Sequence, residues 1–134
     1  MKTVLFACVH NAGRSQMATA LLNALADPSK VCAVSAGTEP GETVHPEVVE
    51  AMREMGIELS QAKPALLTDT LAARADLFVT MGCGEACPLV PGLRHVEWDL
   101  PDPKGLPLAR VREIRDDIRR LVERLIASEG WEKA

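Results

Sequence analysis

Cys8 and Arg14 enclose five residues, and Ser15 follows at once: Cys8-Val9-His10-Asn11-Ala12-Gly13-Arg14-Ser15. By composition alone a Cys-x5-Arg spacing arises roughly 0.3 times in such a chain, so its setting has to carry the reading. An apolar run, Thr3 to Cys8, leads into it, and a helical period starts near Arg14. A loop between strand and helix can turn successive backbone N–H groups inward as an anion nest, here from Val9 through His10, Asn11, Ala12, Gly13 and Arg14 to Ser15. The helix that follows adds the positive end of its dipole. Arg14 offers a planar two-donor fork for a tetrahedral oxyanion. Cys8 then sits at the floor, aimed at the central atom, and the same field favours the thiolate, the nucleophilic form. Ser15 is placed to donate a hydrogen bond to that sulfur. Asn11 tolerates a left-handed backbone and can tie the loop together. Gly13 permits an unusual backbone angle. His10 is read as lining the loop or facing solvent, with no catalytic role.

Two more thiols stand in Met81-Gly82-Cys83-Gly84-Glu85-Ala86-Cys87-Pro88. The spacing Cys-x3-Cys supplies only two of the four ligands that structural zinc takes, and no His pair lies near, so no metal is expected. Gly82, Gly84 and Glu85 argue against a buried strand here. Cys32 lies in an apolar strand run and is read as core. Asp99 and Asp102 fall in Asp99-Leu100-Pro101-Asp102-Pro103-Lys104-Gly105, a Pro- and Gly-rich stretch whose ordinary meaning is a turn.

The elements that must position these groups are short. Strand signals fall at Thr3–Cys8, Val31–Ser35, Leu77–Met81 and Arg94–Trp98. Helical patterns fall at Ser15–Ala26, Pro46–Met55, Thr68–Arg74 with Thr68 as N-cap, and Leu108–Ile126. In the last of these, Leu108, Val111, Ile114, Ile118, Leu121, Leu125 and Ile126 form the apolar stripe. Alternating strands and helices predict an α/β fold: a small, doubly wound, four-stranded parallel sheet with helices on both faces. Ligands bind such a sheet beyond the carboxyl ends of its strands, at a topological switch point.

With 134 residues and 14.5 kDa, the chain is expected to form a single domain, 1–134. No apolar run is long enough for a membrane span, and mean hydropathy is +0.03. A net charge of −4 disfavours a general nucleic-acid binder. The apolar start is broken by His10, Asn11 and Arg14, so it is read as a strand and not a signal peptide. A cytoplasmic protein is expected, with its four cysteines reduced and available for chemistry, and a monomer is the default.

Cys8 to Ser15, continued by Gln16-Met17-Ala18, resembles the thiol-dependent arsenate reductases built on the low-molecular-weight tyrosine phosphatase fold. Val34-Ser35-Ala36-Gly37-Thr38 is similar to the second-strand signature of both families, and Asp102-Pro103 to their acid loop. Cys83 and Cys87 decide between them, since a phosphatase has no need of two further thiols. The resemblance implies a relay with Cys8 as nucleophile, Arg14 and Ser15 in support, and Asp102 as general acid, Asp99 being the fallback. Cys83 and Cys87 resolve the intermediate, and external thioredoxin supplies electrons. No tightly bound cofactor is expected; arsenate is the substrate and phosphate or sulfate its mimics. The alternative is a phosphatase that hydrolyses phosphomonoesters through a phosphocysteine, and a weak activity of that kind is expected in any case. Some reductases of the family hold potassium with a Glu at the place of Thr19. Asn11 and Ser35 match other parts of that site, but the carboxylate is missing, so potassium is not predicted and the sequence leaves it open. An aromatic mouth for phosphotyrosine is also poorly supplied: there is no Tyr, Phe6 and Phe78 lie in strand runs, and only Trp98 precedes the acid loop.

Overall fold

The computed structural model describes residues 1–82 and 90–133. Among them the chain runs β1 (Lys2–Cys8), α1 (Arg14–Leu25), β2 (Val31–Gly37), α2 (Pro46–Arg53), α3 (Asp69–Ala73), β3 (Leu77–Thr80), β4 (Arg94–Glu97) and α4 (Leu108–Glu129). All strand pairings are parallel, in the order β2-β1-β3-β4. Each expected element is present, with its ends moved by a few residues. Thr68 caps α3 through its hydroxyl, which accepts from Leu71 N at 3.1 Å. α4 runs on past Ile126 because its stop is Gly130, in the left-handed region at φ 73°.

Winding reverses at β1, which has β2 on one side and β3 on the other. The crevice beyond its C-terminal end is therefore the place for a ligand. Cys8 is its last residue, in register with Gly37.

Side chains alternate between the two faces of the sheet. Val4, Phe6, Cys8, Leu77 and Val79 join a large core with Met17, Leu21 and Leu22 of α1, Val48 and Met52 of α2, and Ile114 and Ile118 of α4. Leu5, Ala7 and Phe78 face a smaller cluster, which Ala72 of α3 closes. Two details differ from expectation. On α4, Val122 is fully buried while Leu121 and Leu125 are only partly so, because the stripe follows 111, 114, 118 and 122. Cys32 is half-buried rather than core, since β2 is an edge strand; its sulfur lies 3.7 Å from the Thr3 hydroxyl.

An ion-pair cluster ties α2 to α4. Arg112 and Arg115 both reach Glu54, at 2.6 and 2.8 Å, and hold its carboxyl at about 2. Among the described residues no helix is long and apolar enough to cross a membrane.

Candidate active site

The oxyanion loop leaves β1 at Cys8 and enters α1 at Arg14, and each of its carbonyls is taken up from outside. Thr38 N donates to Cys8 O (3.2 Å), Glu39 N to Val9 O (2.8 Å), Gly41 N to His10 O (2.9 Å) and His45 N to Ala12 O (2.9 Å). Gln16 Nε2 donates to Asn11 O (3.1 Å), and Met17 N to Gly13 O (3.0 Å). In a trans peptide the C=O and the following N–H point opposite ways, so carbonyls held outward leave amides facing inward. Among the described residues no hydrogen bond uses an amide from Val9 through Ser15. α1 has no side-chain cap and no acidic residue in its first turn, so its positive end is likewise uncontested.

Asn11 holds the loop's shape. It is the one described non-glycine residue with positive φ, 50°, the left-handed conformation expected of it. Its Oδ1 accepts from Ala65 N (2.9 Å) and Gln16 Nε2 (3.2 Å), and its Nδ2 donates to Ser15 Oγ at 2.7 Å. With that oxygen accepting from Asn11, the Ser15 hydrogen is left for the Cys8 sulfur, 2.9 Å away. Cys8 is only 2% exposed, so the sulfur is reached through the loop and not from the sheet.

Arg14 is buried, yet only part of its guanidinium is engaged. Nη1 donates to Leu100 O at 3.1 Å, and Nη2 lies 3.8 Å from Asp102 Oδ2. Nε has no partner among the described residues. The Nε and Nη2 hydrogens point the same way, so this edge has the geometry of a two-donor fork for a tetrahedral anion. Asp102 is half-exposed, its Oδ1 accepting from Lys104 N at 3.0 Å. Asp99 instead lines a surface groove with Asp117, Arg120 and Arg124 of α4.

Three glycines make these approaches possible. A Cβ on Gly13 would stand 2.6 Å from Pro103 Cγ, and one on Gly37 would stand 2.6 Å from Val9 O. The unusual backbone angle expected of Gly13 is present, φ −141° and ψ −92°, outside the helical, strand and left-handed regions, and its missing side chain also leaves room for the acid loop. Gly82 has φ +90°, and its missing Cβ would lie 2.3 Å from Arg14 Nη1. It precedes the Cys83–Cys87 stretch directly; Cys83 and Cys87 themselves lie outside the described residues.

Of the expected site residues, the fold brings Cys8, Asn11, Gly13, Arg14, Ser15 and Asp102 together. Sequence reasoning missed Gln16, Gly37, Gly82, His45 and the Leu100 carbonyl. Gly37, the last residue of β2, and Gly82, just past β3, were the available signal; the Leu100 carbonyl had none. All four aromatic side chains, Phe6, Phe78, Trp98 and Trp131, are buried, and Trp98 packs on Phe6 with centroids 5.5 Å apart. None is left to line a mouth.

The residues also do not fit a potassium ion. Asn11 Oδ1 already accepts from both Gln16 and Ala65, and the buried Thr19 hydroxyl, without a partner among the described residues, brings no negative charge. Among the described residues no group of three His, Cys, Asp or Glu is placed to hold a metal.

A parallel sheet whose central strand ends in a cysteine, under a loop of unfilled amides that closes on an arginine, defines a protein of the cysteine-dependent phosphatase type. Residues 3–133 match the family Low molecular weight phosphotyrosine protein phosphatase, and the chain belongs to that family. Arsenate reductase 2 of Staphylococcus epidermidis is 35% identical over 127 residues, 91% of this chain and 94% of its own. The structure of a thioredoxin-dependent arsenate reductase of Corynebacterium glutamicum superposes with TM-score 0.83 at 41% identity, covering 96% of this chain. This chain spans 61% of that protein's length. A low molecular weight protein tyrosine phosphatase from T. tengcongensis superposes almost as well, TM-score 0.81, at 28% identity over 96% of this chain and 99% of its own.

Proposed function

We propose that the chain, working as one domain over 1–134, reduces arsenate to arsenite through three of its thiols, with thioredoxin restoring them. The observation that supports this most is the buried Cys8 sulfur beneath seven amides, and beside an arginine Nε, that have no hydrogen bond among the described residues, in a chain that carries two further cysteines just past β3 in sequence. The amides and Arg14 hold the tetrahedral arsenate, for which phosphate and sulfate are mimics. Cys8 thiolate attacks arsenic, forming an S–As bond, and Asp102 gives its proton to the departing oxygen, which leaves as water. Ser15 steadies the thiolate before attack.

Cys83 thiolate then attacks the Cys8 sulfur. The S–As electron pair goes to arsenic, which leaves as arsenite, and a Cys8–Cys83 disulfide forms. Cys87 attacks Cys83, Cys8 departs as thiolate, and the two electrons lost by Cys83 and Cys87 are returned by a reduced dithiol of thioredoxin. Relatives named as arsenate reductases support this reading over hydrolysis, as does the lack of an exposed aromatic side chain for a phosphotyrosine ring. Cys8, Arg14 and Asp102 are also sufficient for slow phosphomonoester hydrolysis through a phosphocysteine, which is the expected side activity.

The test couples arsenate, thioredoxin, thioredoxin reductase and NADPH, and follows NADPH oxidation. Turnover is expected in the wild type and its loss in Cys87→Ser, while phenyl phosphate hydrolysis stays slow and indifferent to Cys87. Wild-type turnover in Cys87→Ser, or hydrolysis of phenyl phosphate with no arsenate-dependent oxidation, would overturn the relay.

A further inference from the structure

His45 is the last rung of the segment that zips onto the oxyanion loop. Its backbone N–H donates to Ala12 O at 2.9 Å, and its own carbonyl accepts from Val48 N (3.0 Å) and Val49 N (3.1 Å) at the start of α2. The backbone of His45 is thus fixed on both sides, which sets where its Cβ leaves the chain. Its Cδ2 stands 3.5 Å from where a Gly13 Cβ would be, on the side of Gly13 that Pro103 also covers. That puts the ring within about 5 Å of the Gly13 backbone by bond geometry. It is half-buried, and it is not used in the relay.

We propose that His45 is a specificity-determining residue on the rim of the oxyanion loop, taking up one proton from solvent as a doubly charged tetrahedral oxyanion settles there. The charged groups around it are Asp102 and Lys104 of the acid loop, Glu47 of α2 and His10 of the oxyanion loop. In the empty site, burial pushes the His45 imidazole below its ordinary value, and Asp102 opposes this only in part. At neutral pH the ring is therefore mainly uncharged. A dianion on the adjacent amides favours the imidazolium, and by reciprocity the imidazolium favours the dianion. Mild acidification then strengthens capture of dianions through His45, and does so less for monoanions.

This rests on the oxyanion-binding part of the proposed function and not on the thiol relay, so inorganic sulfate is the probe. It stays a dianion throughout the range and needs no electron transfer. The His45 ring is followed by NMR against pH with and without saturating sulfate, signals being assigned by their loss in His10→Asn and His95→Asn. Sulfate is expected to move the His45 titration midpoint upward by about one unit. Calorimetry should show sulfate tightening between about pH 7.5 and about pH 5.5 by roughly threefold to tenfold more in the wild type than in His45→Asn. Bound sulfate with an unmoved His45 midpoint, or equal pH slopes in the two proteins, would overturn the inference. No sulfate binding at any pH would instead strike the oxyanion site itself. The ring titration is read on the wild type, so a His45→Asn variant that fails to fold leaves the test standing.

Discussion

In the oxyanion loop every carbonyl from Cys8 to Gly13 receives a hydrogen bond, and Asn11 and Gln16 tie it across to Ala65 and Lys63. In the acid loop, Asp102 keeps one backbone hydrogen bond, from Lys104, and a 3.8 Å approach to Arg14. The first is buried and over-determined; the second is half-exposed at Asp102 and is held by Leu100 O on Arg14, by Leu106 N on Pro103 O and by Pro103 packed over Gly13. In the proposed reaction, recognition of the anion is built in before substrate arrives, whereas the proton donor sits on the more exposed loop with fewer ties. Preorganised donors cost no rearrangement at the moment of reaction, which suits the loop that must meet developing charge. A proton donor has to admit substrate first, which suits a loop with fewer ties.

Substitutions can break that contrast in graded ways. Cys8→Ser removes the nucleophile but no amide, so arsenate-dependent NADPH oxidation should fall to background while calorimetry still detects sulfate. Asp102→Asn should slow turnover by roughly 10²–10⁴-fold and leave sulfate affinity nearly unchanged. A parallel loss of affinity would show that the two loops are not separable. Gly13→Ala drives a methyl into Pro103 and should lower kcat by about 10–10²-fold through a displaced acid loop. An unaltered kcat in that variant would remove Pro103 as the seat of the acid.

Stability changes sharpen the other side. Asn11→Ala strands the Ala65 N–H, cuts Ser15 loose and puts alanine in a left-handed backbone. Urea unfolding should register a loss of about 2–3 kcal/mol. The smallest effect belongs to the surface tie between α2 and α4. Glu54 is held at about 2 against an ordinary 4.5, so its contribution is present above 4.5 and is lost as pH falls toward 2. Glu54→Gln should therefore be slightly less stable than wild type at neutral pH, and the two unfolding curves should converge in strong acid.

Much of this was legible in the sequence because it is local. The strand ending at Cys8, the helix starting at Arg14 and the alternation around them fixed the sheet's switch point, and Asn11 declared its left-handed turn by residue type. What could not be read was contact across distance. Nothing in the chain's order says that Leu100 O holds Arg14, that residues 38–45 zip onto the loop carbonyls, or that Pro103 explains Gly13. Each of these joins residues far apart in the chain, and the first two do so through backbone atoms, which carry no residue-type signal. Gly82 was legible only as a flexible residue; its reason, the Arg14 guanidinium against its Cα, is a tertiary fact. Val122 escaped because a strict stripe was drawn through Leu121 and Leu125, whereas the buried face of α4 drifts by one position toward its C-terminus.

In the proposed relay, electrons reach arsenic by way of Cys8, Cys83 and Cys87. Disulfide mapping by mass spectrometry after a single arsenate turnover, without any reductant present, tests it most directly. The wild type should yield one Cys83–Cys87 disulfide with Cys8 free, and Cys87→Ser should stop at Cys8–Cys83, with one arsenite released per chain in each case. Arsenite release with Cys83 and Cys87 still reduced, or no arsenite and no disulfide at all, would contradict it.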